Sequence, residues 1–251
     1  MAKQSIWVLG NHAVDAVLNL SPERAVGVWV CINPSNATQR SLLSQVERLG
    51  IPIYPVDKRA LSKRTGSEQH QGIALEAKAK AALTERELDP FVNNLMQSKA
   101  PLLLILDQVQ DPHNFGACLR TADAAGADAV IVAKDNASPM TPVVQKVASG
   151  AAETMPIFRV TNLVRAMESL KQLGVWMIGT SDKAPHSLYQ QDLTHSLALV
   201  MGAEGKGMRQ LTEKSCDSLI SLPMAGTVVS SLNVSVATGV CLYEAIRQRQ
   251  T

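Results

Sequence analysis

Three short stretches hold the residue types that chemistry needs, and each follows directly on an apolar run. The first is LDQVQDPHNFGACLRTADAAG, which brings Asp107, Asp111, Asn114 and Arg120 close together. Asp-Pro favours a turn, and Asn114 is placed to cap the helix that follows. A turn accounts for Asp111 and Asn114. It does not account for Arg120, a large cation inside ACLRTADAA, a run of small residues suited to close packing, where such a group ordinarily has a partner or a ligand. The second stretch, VMGAEGKGM, carries Gly202, Gly205 and Gly207, which allow close backbone approach to a ligand. It is neither the dinucleotide pattern G-x-G-x-x-G nor a Walker loop, since glycine follows Lys206. The third is GTVVSSLNVSVATGVCLYEAIRQR. Alternating β-branched residues and serines read as a strand on propensity alone. Ser231 or Asn233 at a helix start explains the polar groups better, as partners for free backbone N–H groups. On that spacing Val234, Ala237 or Thr238, Cys241 and Ala245 share one face, and Val236, Val240, Tyr243 and Arg247 another, so the helix is expected to be buried on two sides, one of them against a second subunit.

These stretches must be positioned by the elements before them. From Pro101 onward, strand candidates LLLILD, AVIVA, PIFRV, VWMIGT, LALVMG and LISLPM alternate with helical segments. Apolar strands joined by helices imply an α/β fold with a parallel sheet covered on both faces, which binds ligands at the carboxyl ends of its strands. Residues 1–76 read as a separate small α/β domain. Its helices are NHAVDAVLNL, with Asn11 as cap, then RSLLSQVERLG, with Leu42, Leu43, Val46 and Leu49 on one face and Gly50 to end it, then DKRALSKRTG, capped by Asp57. Its strands are AVGVWVCI, IPIYPV and GIALEAK. Residues 77–100 are polar and alanine-rich and read as a linker that becomes helical; the second domain is then 101–251.

The chain has 251 residues, 46% of them hydrophobic and 18% charged, enough for two cores of ordinary globular composition. No apolar run reaches a membrane span and no signal peptide is evident, so a cytoplasmic location without membrane is expected. The four cysteines are widely spaced and the five histidines are not at metal-ligand spacing, which points to reduced thiols and no metal. A net charge of +2 gives no global argument for nucleic acid. That argument has to be local, and Lys58, Arg59, Lys63 and Arg64 supply a cluster that reads equally as a solvated helix face or an RNA phosphate contact.

Taken together, DPHNFGACLRTADAAG, LVMGAEGKGM and LPMAGTVVSSLNVSVATG, in this order and spacing, resemble the SpoU, or TrmH-type, family of RNA ribose 2′-O-methyltransferases. The likeness covers essentially all of residues 101–249. GNHAVDAVL and HQGIAL resemble the L30e-like substrate-binding domain of one branch. The resemblance implies a C-terminal trefoil-knot domain of the SPOUT type, S-adenosylmethionine as methyl donor, and a homodimer packed through its knot helices. It places cofactor contacts at Thr180, Met201, Gly202, Glu204, Leu222, Met224, Ser231, Leu232 and Asn233, and catalytic positions at Asn114, Arg120, Glu204 and Asn233. It implies as target a guanosine in the peptidyl-transferase P-loop of 23S rRNA, free or in a large-subunit assembly particle. One departure stands out: the usual pattern is closer to G-x-V-S-S-L-N, and this chain has one residue more between Gly226 and Ser230.

A ribose hydroxyl is a weak nucleophile and needs a base or electrostatic help. The resemblance gives this role to Arg120. A guanidinium stays protonated below about pH 12, so anchoring the adjacent phosphate and stabilising developing alkoxide charge suits it better than direct proton acceptance, which stays open if its surroundings depress its pKa. With 4% aromatic residues a stacking platform is not expected, and recognition by shape and backbone is. The competing readings are a tRNA guanosine 2′-O-methyltransferase, disfavoured by the first domain, a non-catalytic RNA-binding assembly factor, disfavoured by the intact site residues, and a dehydrogenase, disfavoured by the missing dinucleotide fingerprint.

Overall fold

The computed structural model describes residues 5–32, 37–80, 83–229 and 231–250. It divides into two units: Met1–Ala81 with Ala148–Thr154, and Ala82–Val147 with Met155–Thr251.

In the first unit the order is β1 (Ser5–Leu9), α1 (Asn11–Leu20), β2 (Ala25–Cys31), α2 (Ala37–Arg48), β3 (Ile53–Val56), α3 (Lys58–Thr65) and β4 (Ile73–Lys78). The strands form one sheet in the order β1-β4-β2-β3, antiparallel except for the β2–β3 pair. The proline-containing β3 sits at an edge, as Pro55 requires. Val14, Val17 and Leu18 of α1 and Leu42 and Val46 of α2 bury one sheet face with Val8, Val28, Ile73 and Leu75. Leu61 of α3 packs with Trp29 and Ala74 on the other. Asp57 caps α3 by accepting from the Ala60 N–H at 2.8 Å. Two expectations need correction. Asn11 is the first helical residue rather than the cap, and its backbone N–H donates to the Gln71 side chain. Leu49 is exposed, because α2 ends at Arg48 and the chain turns through the left-handed Gly50. Strand β1 is not among the elements the sequence singles out.

The second unit holds β5 (Leu83–Thr84), α4 (Glu85–Met96), β6 (Leu102–Asp107), α5 (Pro112–Ala124), β7 (Ala129–Ala133), α6 (Pro142–Ala148), the short α7 (Ala151–Thr154), whose residues fall with the first unit, β8 (Ile157–Val160), α8 (Leu163–Gln172), β9 (Trp176–Thr180), β10 (His186–Ser187), β11 (Leu197–Gly202), α9 (Gln210–Lys214), β12 (Ser218–Ser221) and α10 (Val234–Arg249). Eight strands lie in the order β10-β12-β9-β11-β6-β7-β8-β5, and every pairing is parallel. The central β6 is buried at all six positions, as a strand covered on both faces must be. One face packs against α4 and α8 through Leu88, Val92, Leu163, Met167 and Leu170. On the other, α5 and α10 lie together, with Cys118 Sγ 3.6 Å from Thr238 Oγ1 and Gly239 leaving room for Thr121.

The stretch 77–100, read as a linker that becomes helical, is helical over Glu85–Met96 and also contributes to the sheet and core of the second unit. Leu83 and Thr84 pair with β8, Thr84 and Glu87 form a capping box, and α4 places Leu88 and Val92 in the core. Its apolar residues are spaced for one buried face within a polar sequence, which composition alone does not show.

Candidate active site

Three loops at the carboxyl ends of β6, β11 and β12 come together. After β6, the chain turns at Asp111, whose carboxylate accepts from the Asn114 N–H at 2.8 Å and caps α5, with Pro112 in its first turn. The cap is therefore Asp111, not Asn114, and the Asn114 side chain is left for other work. After β11, residues 203–207 form a tight hairpin: the Ala203 N–H donates to the Gly207 carbonyl at 3.0 Å and the Gly207 N–H to that of Ala203 at 2.8 Å. Gly205 and Gly207 take positive φ, and a Cβ on Gly202 would overlap the Gly207 and Met208 backbone, so the turn closes on a glycine. The buried Asp107 at the end of β6 holds the same loop, accepting from the Arg209 backbone N–H and its Nε and Nη2, each at 2.8 Å.

After β12 the chain leaves the sheet. LISLPM is strand only as far as Ser221, and Leu222 to Met224 run out as loop. Among its described residues, Thr227 to Val229 and Ser231 to Leu232, the stretch that propensity assigns to a strand is not strand, and α10 begins at Val234. Asn233 is its cap, its Oδ1 accepting from the Ser235 N–H at 3.0 Å and from the Ser235 hydroxyl at 2.7 Å. The Asn233 Nδ2 donates to Asn114 Oδ1 at 2.9 Å and to Glu204 Oε2 at 3.2 Å, and Asn114 Nδ2 donates to the same Glu204 oxygen at 3.3 Å. Three residues from three loops thus form one closed cluster. Among the described residues, Glu204 Oε1 accepts no hydrogen bond.

Beside this cluster lies a cavity of about 440 Å³. Thr180 from β9, Met201, Gly202 and Glu204 from the β11 loop, Leu222 and Met224 after β12, and Ser231 and Leu232 before α10 all line it. Of the nine expected cofactor positions only Asn233 is not on the wall; it stands behind Glu204. Asp182, Lys183, Lys206 and Glu213 also line the cavity and were not singled out in the sequence. The rule that ligand residues follow strands could have found Asp182 and Lys183, just past β9.

Arg120 is not brought to this cavity. It is exposed on α5, is absent from the cavity wall, and makes no ion pair among the described residues. Its small neighbours have the packing role expected of them: a Cβ on Gly116 would lie 2.9 Å from the Val144 carbonyl oxygen. Lys58, Arg59, Lys63 and Arg64 all lie exposed on α3 in the first unit. Val228 and Val229, in the lengthened stretch, are exposed, and Ser230 lies outside the described residues. The thiols are poor nucleophiles, since burial pushes Cys118 up to about 11 and Cys241 up to about 12. Among the described residues no cluster of His, Cys, Asp and Glu could hold a metal ion, and no helix is long and apolar enough to cross a membrane.

Comparison with known proteins agrees with the arrangement. Residues 101–243 match the SpoU rRNA Methylase family, and residues 7–82 match the RNA 2′-O ribose methyltransferase substrate binding domain. The chain is 50% identical over 251 residues to a protein of Shewanella oneidensis named 23S rRNA (guanosine-2′-O-)-methyltransferase RlmB, covering 100% of both chains. It is 52% identical over 242 residues to the protein of that name from Vibrio cholerae, covering 96% of each. Among solved structures, the SpoU methyltransferase AviRb from Streptomyces viridochromogenes, in complex with AdoMet, superposes with a TM-score of 0.80 at 22% identity, over 98% of this chain and 91% of that one.

Proposed function

The chain belongs to the SpoU rRNA Methylase family, and on that premise we propose that it transfers a methyl group from S-adenosylmethionine to the ribose 2′-hydroxyl of a guanosine in 23S rRNA. The observation that carries the reading is the junction of Asn114, Glu204 and Asn233 beside the cavity. A chain keeping only RNA binding has no need to hold a carboxylate by two amides from separate loops.

The cavity suits the donor. Its volume falls in the range of small-molecule sites, which starts at about 300 Å³. Met201, Leu222, Leu232 and Ala237 offer apolar surface for a purine and a methionine chain, while Thr180, Asp182, Glu204 and Ser231 offer oxygens to its amino and hydroxyl groups and its positive sulfonium. When bound, the donor supplies a methyl on a sulfur that leaves as a neutral thioether. The rest falls to the chain. The new O–CH₃ bond requires the hydroxyl to lose its proton, and the site must orient that oxygen and carry its developing charge. Glu204 is fixed through one oxygen by both asparagines, which leaves the other facing a ligand. Arg120 supplies the positive charge, anchoring the phosphate next to the target ribose. Because it stands outside the cavity of its own chain, bound RNA or a second chain has to bring it to the reacting oxygen.

Several finer assignments follow from the same reading. The target guanosine is the one in the peptidyl-transferase P-loop, presented by free 23S rRNA or an assembly particle. The loop from Leu222 to Asn233 threads a trefoil knot, a rare departure from unknotted connections. Val236, Val240 and Tyr243 lie on a face of α10 that its own chain leaves open, with Val236 52% and Tyr243 54% exposed, and a second copy covers it to give a homodimer. The first unit is an L30e-like RNA-binding domain, and the enzyme works in the cytoplasm. The test is to map 2′-O-methyl groups in 23S rRNA and tRNA incubated with the protein and donor. A single methylated guanosine in 23S rRNA is expected; methylation confined to tRNA, or none, overturns the reading.

A further inference from the structure

One face of the first unit's sheet is closed by α1 and α2. The other carries α3 and three aromatic rings from three strands. Trp29 of β2 is central and 7% exposed. Trp7 of β1 meets it edge-on, with ring centroids 4.9 Å apart and planes at 78°. Tyr54 of the edge strand β3 stacks on it at 4.6 Å and 26°. The Arg64 guanidinium carbon lies 5.1 Å from the centre of the Trp29 ring. Gly27 makes the arrangement possible: a Cβ there would come within 2.8 Å of the Tyr54 ring and 3.2 Å of the Trp29 ring. A third of the chain's aromatic residues are thus gathered on one face, so a low aromatic content overall has not prevented a local platform.

The face is not simply a second core. Tyr54 remains 44% exposed although one side of its ring is fixed against Trp29. On the adjoining α3, Lys58, Arg59 and Lys63 are exposed and make no ion pair among the described residues. Two acids are near. Asp57 uses its carboxylate as the α3 cap, and Glu76 is opposite Trp7 and Gly27 in register. Cations outnumber them along the helix.

The geometry points to this face as a stacking platform for unpaired bases of the RNA substrate, with the open side of Tyr54 receiving a base and Lys58, Arg59 and Lys63 receiving the flanking phosphates. The assignment rests on the reading of the protein as an RNA methyltransferase and names the part of the first unit that holds the RNA. A ring already fixed in place gives up little conformational freedom on binding, and stacking on it accepts any base. A duplex hides its base faces, so the platform selects loops and single strands.

The test uses the full chain and an end-labelled single-stranded oligoribonucleotide of about ten nucleotides, with a blunt duplex of the same length as comparison. Fluorescence anisotropy should show tighter binding of the single strand. Tyr54→Leu should weaken it about tenfold, with Tyr54→Phe binding like the wild type. Lys63→Gln should flatten the salt dependence. Ultraviolet cross-linking of the unaltered protein to the same oligonucleotide, mapped by mass spectrometry, should mark Tyr54 or α3, a result that does not depend on how any variant folds. Cross-links confined to other segments, equal binding by Tyr54→Leu, or equal losses in Tyr54→Leu and Tyr54→Phe would each overturn the platform. If the single strand binds as described and no rRNA is methylated, the functional reading falls and the platform stands.

Discussion

The Asn233 amide is used at both ends. Its oxygen caps α10 and its nitrogen joins Asn114 and Glu204. The two uses can be separated. Asp is as good a cap as Asn, but in Asn233→Asp an oxygen replaces the donor and faces the Glu204 carboxylate and the Asn114 oxygen. We expect Asn233→Asp to unfold near the wild-type temperature, since Glu204 is exposed and repulsion at a solvent-accessible carboxylate costs about 1 kcal/mol, and to lose methyl transfer. Asn233→Ala should lose transfer and also about 1 kcal/mol of stability with the cap. Thermal unfolding beside a transfer assay checks the pair; an active Asn233→Asp enzyme would leave the cluster only a scaffold. Arg120→Ala makes the complementary case. It should lower turnover about 10²-fold or more while calorimetry finds donor affinity unchanged, because the residue is off the cavity wall. Substantial residual turnover refutes its central role. The sequence singles out Arg120 because small-residue packing does not explain a large cation, and the structure leaves it exposed on α5, away from the cavity wall. Which of Asp111 and Asn114 caps α5 was not visible, since both are good caps and only the fold decides which side chain turns back to the helix end.

At the scale of elements, the polar stretch before α10 shows where propensity gives way. The alternation of valine and serine suits a strand, but a sheet position would leave its hydroxyls without a role, and the helix start uses Asn233 and Ser235 at once. Of the residues that follow, Val234, Ala237 and Cys241 reach the core, while Val236 stays exposed. In the stretch 77–100 the helix was legible and its share in the core was not, for the opposite reason: α4 contributes only two fully buried side chains, too few to mark its composition as core. The β11 hairpin is the element on which the cavity depends most. Gly202→Ala sets a methyl group into the backbone of Gly207 and Met208, which cannot yield as a flexible side chain would. The hairpin must open and donor binding should fall by at least about tenfold while the sheet stays folded, checked by calorimetry with far-ultraviolet dichroism; unchanged affinity would mean the hairpin does not shape the donor site. The paired helices α5 and α10 give a chemical probe of the same interior. Burial raises Cys118 to about 11 and Cys241 to about 12, so less than about one thiol in a thousand is thiolate at pH 8. Both should resist iodoacetamide at pH 8 in the folded protein and react once it is denatured. The raised pKa puts any gain in reactivity at higher pH, not lower; rapid labelling of Cys118 or Cys241 in the native protein at pH 8, read by mass spectrometry, would show that the two helices do not stay packed.

For the whole molecule, the division into two units bears on what each can do alone. All cavity-lining residues lie between Thr180 and Ala237, and the eight-stranded sheet begins at Leu83. The first unit holds the aromatic face and the α3 cations and no part of that cavity. A cut placed at residue 76, where the sequence suggests the first domain ends, would leave the last residues of β4 without their sheet. A cut after Ala81 removes all of the first unit except Ala148–Thr154 and keeps β5 and α4, whose Leu88 and Val92 the second core needs. It also takes away Arg24, which pairs with Glu153 at 2.5 Å. Glu153 then faces water instead of lying buried without its partner, so the loss should be well below the several kcal/mol of a buried orphan charge. We therefore expect residues 82–251 to fold, to bind the donor about as tightly as the full chain, and to methylate 23S rRNA at least about 10²-fold more slowly at low RNA concentration, with much of the rate restored at high RNA concentration if the first unit contributes binding alone. Calorimetry with the donor and initial rates over a range of RNA concentrations decide this. Undiminished methylation at low RNA would remove the first unit from substrate recognition, whereas lost donor binding would show that the methylase unit needs its neighbour to fold.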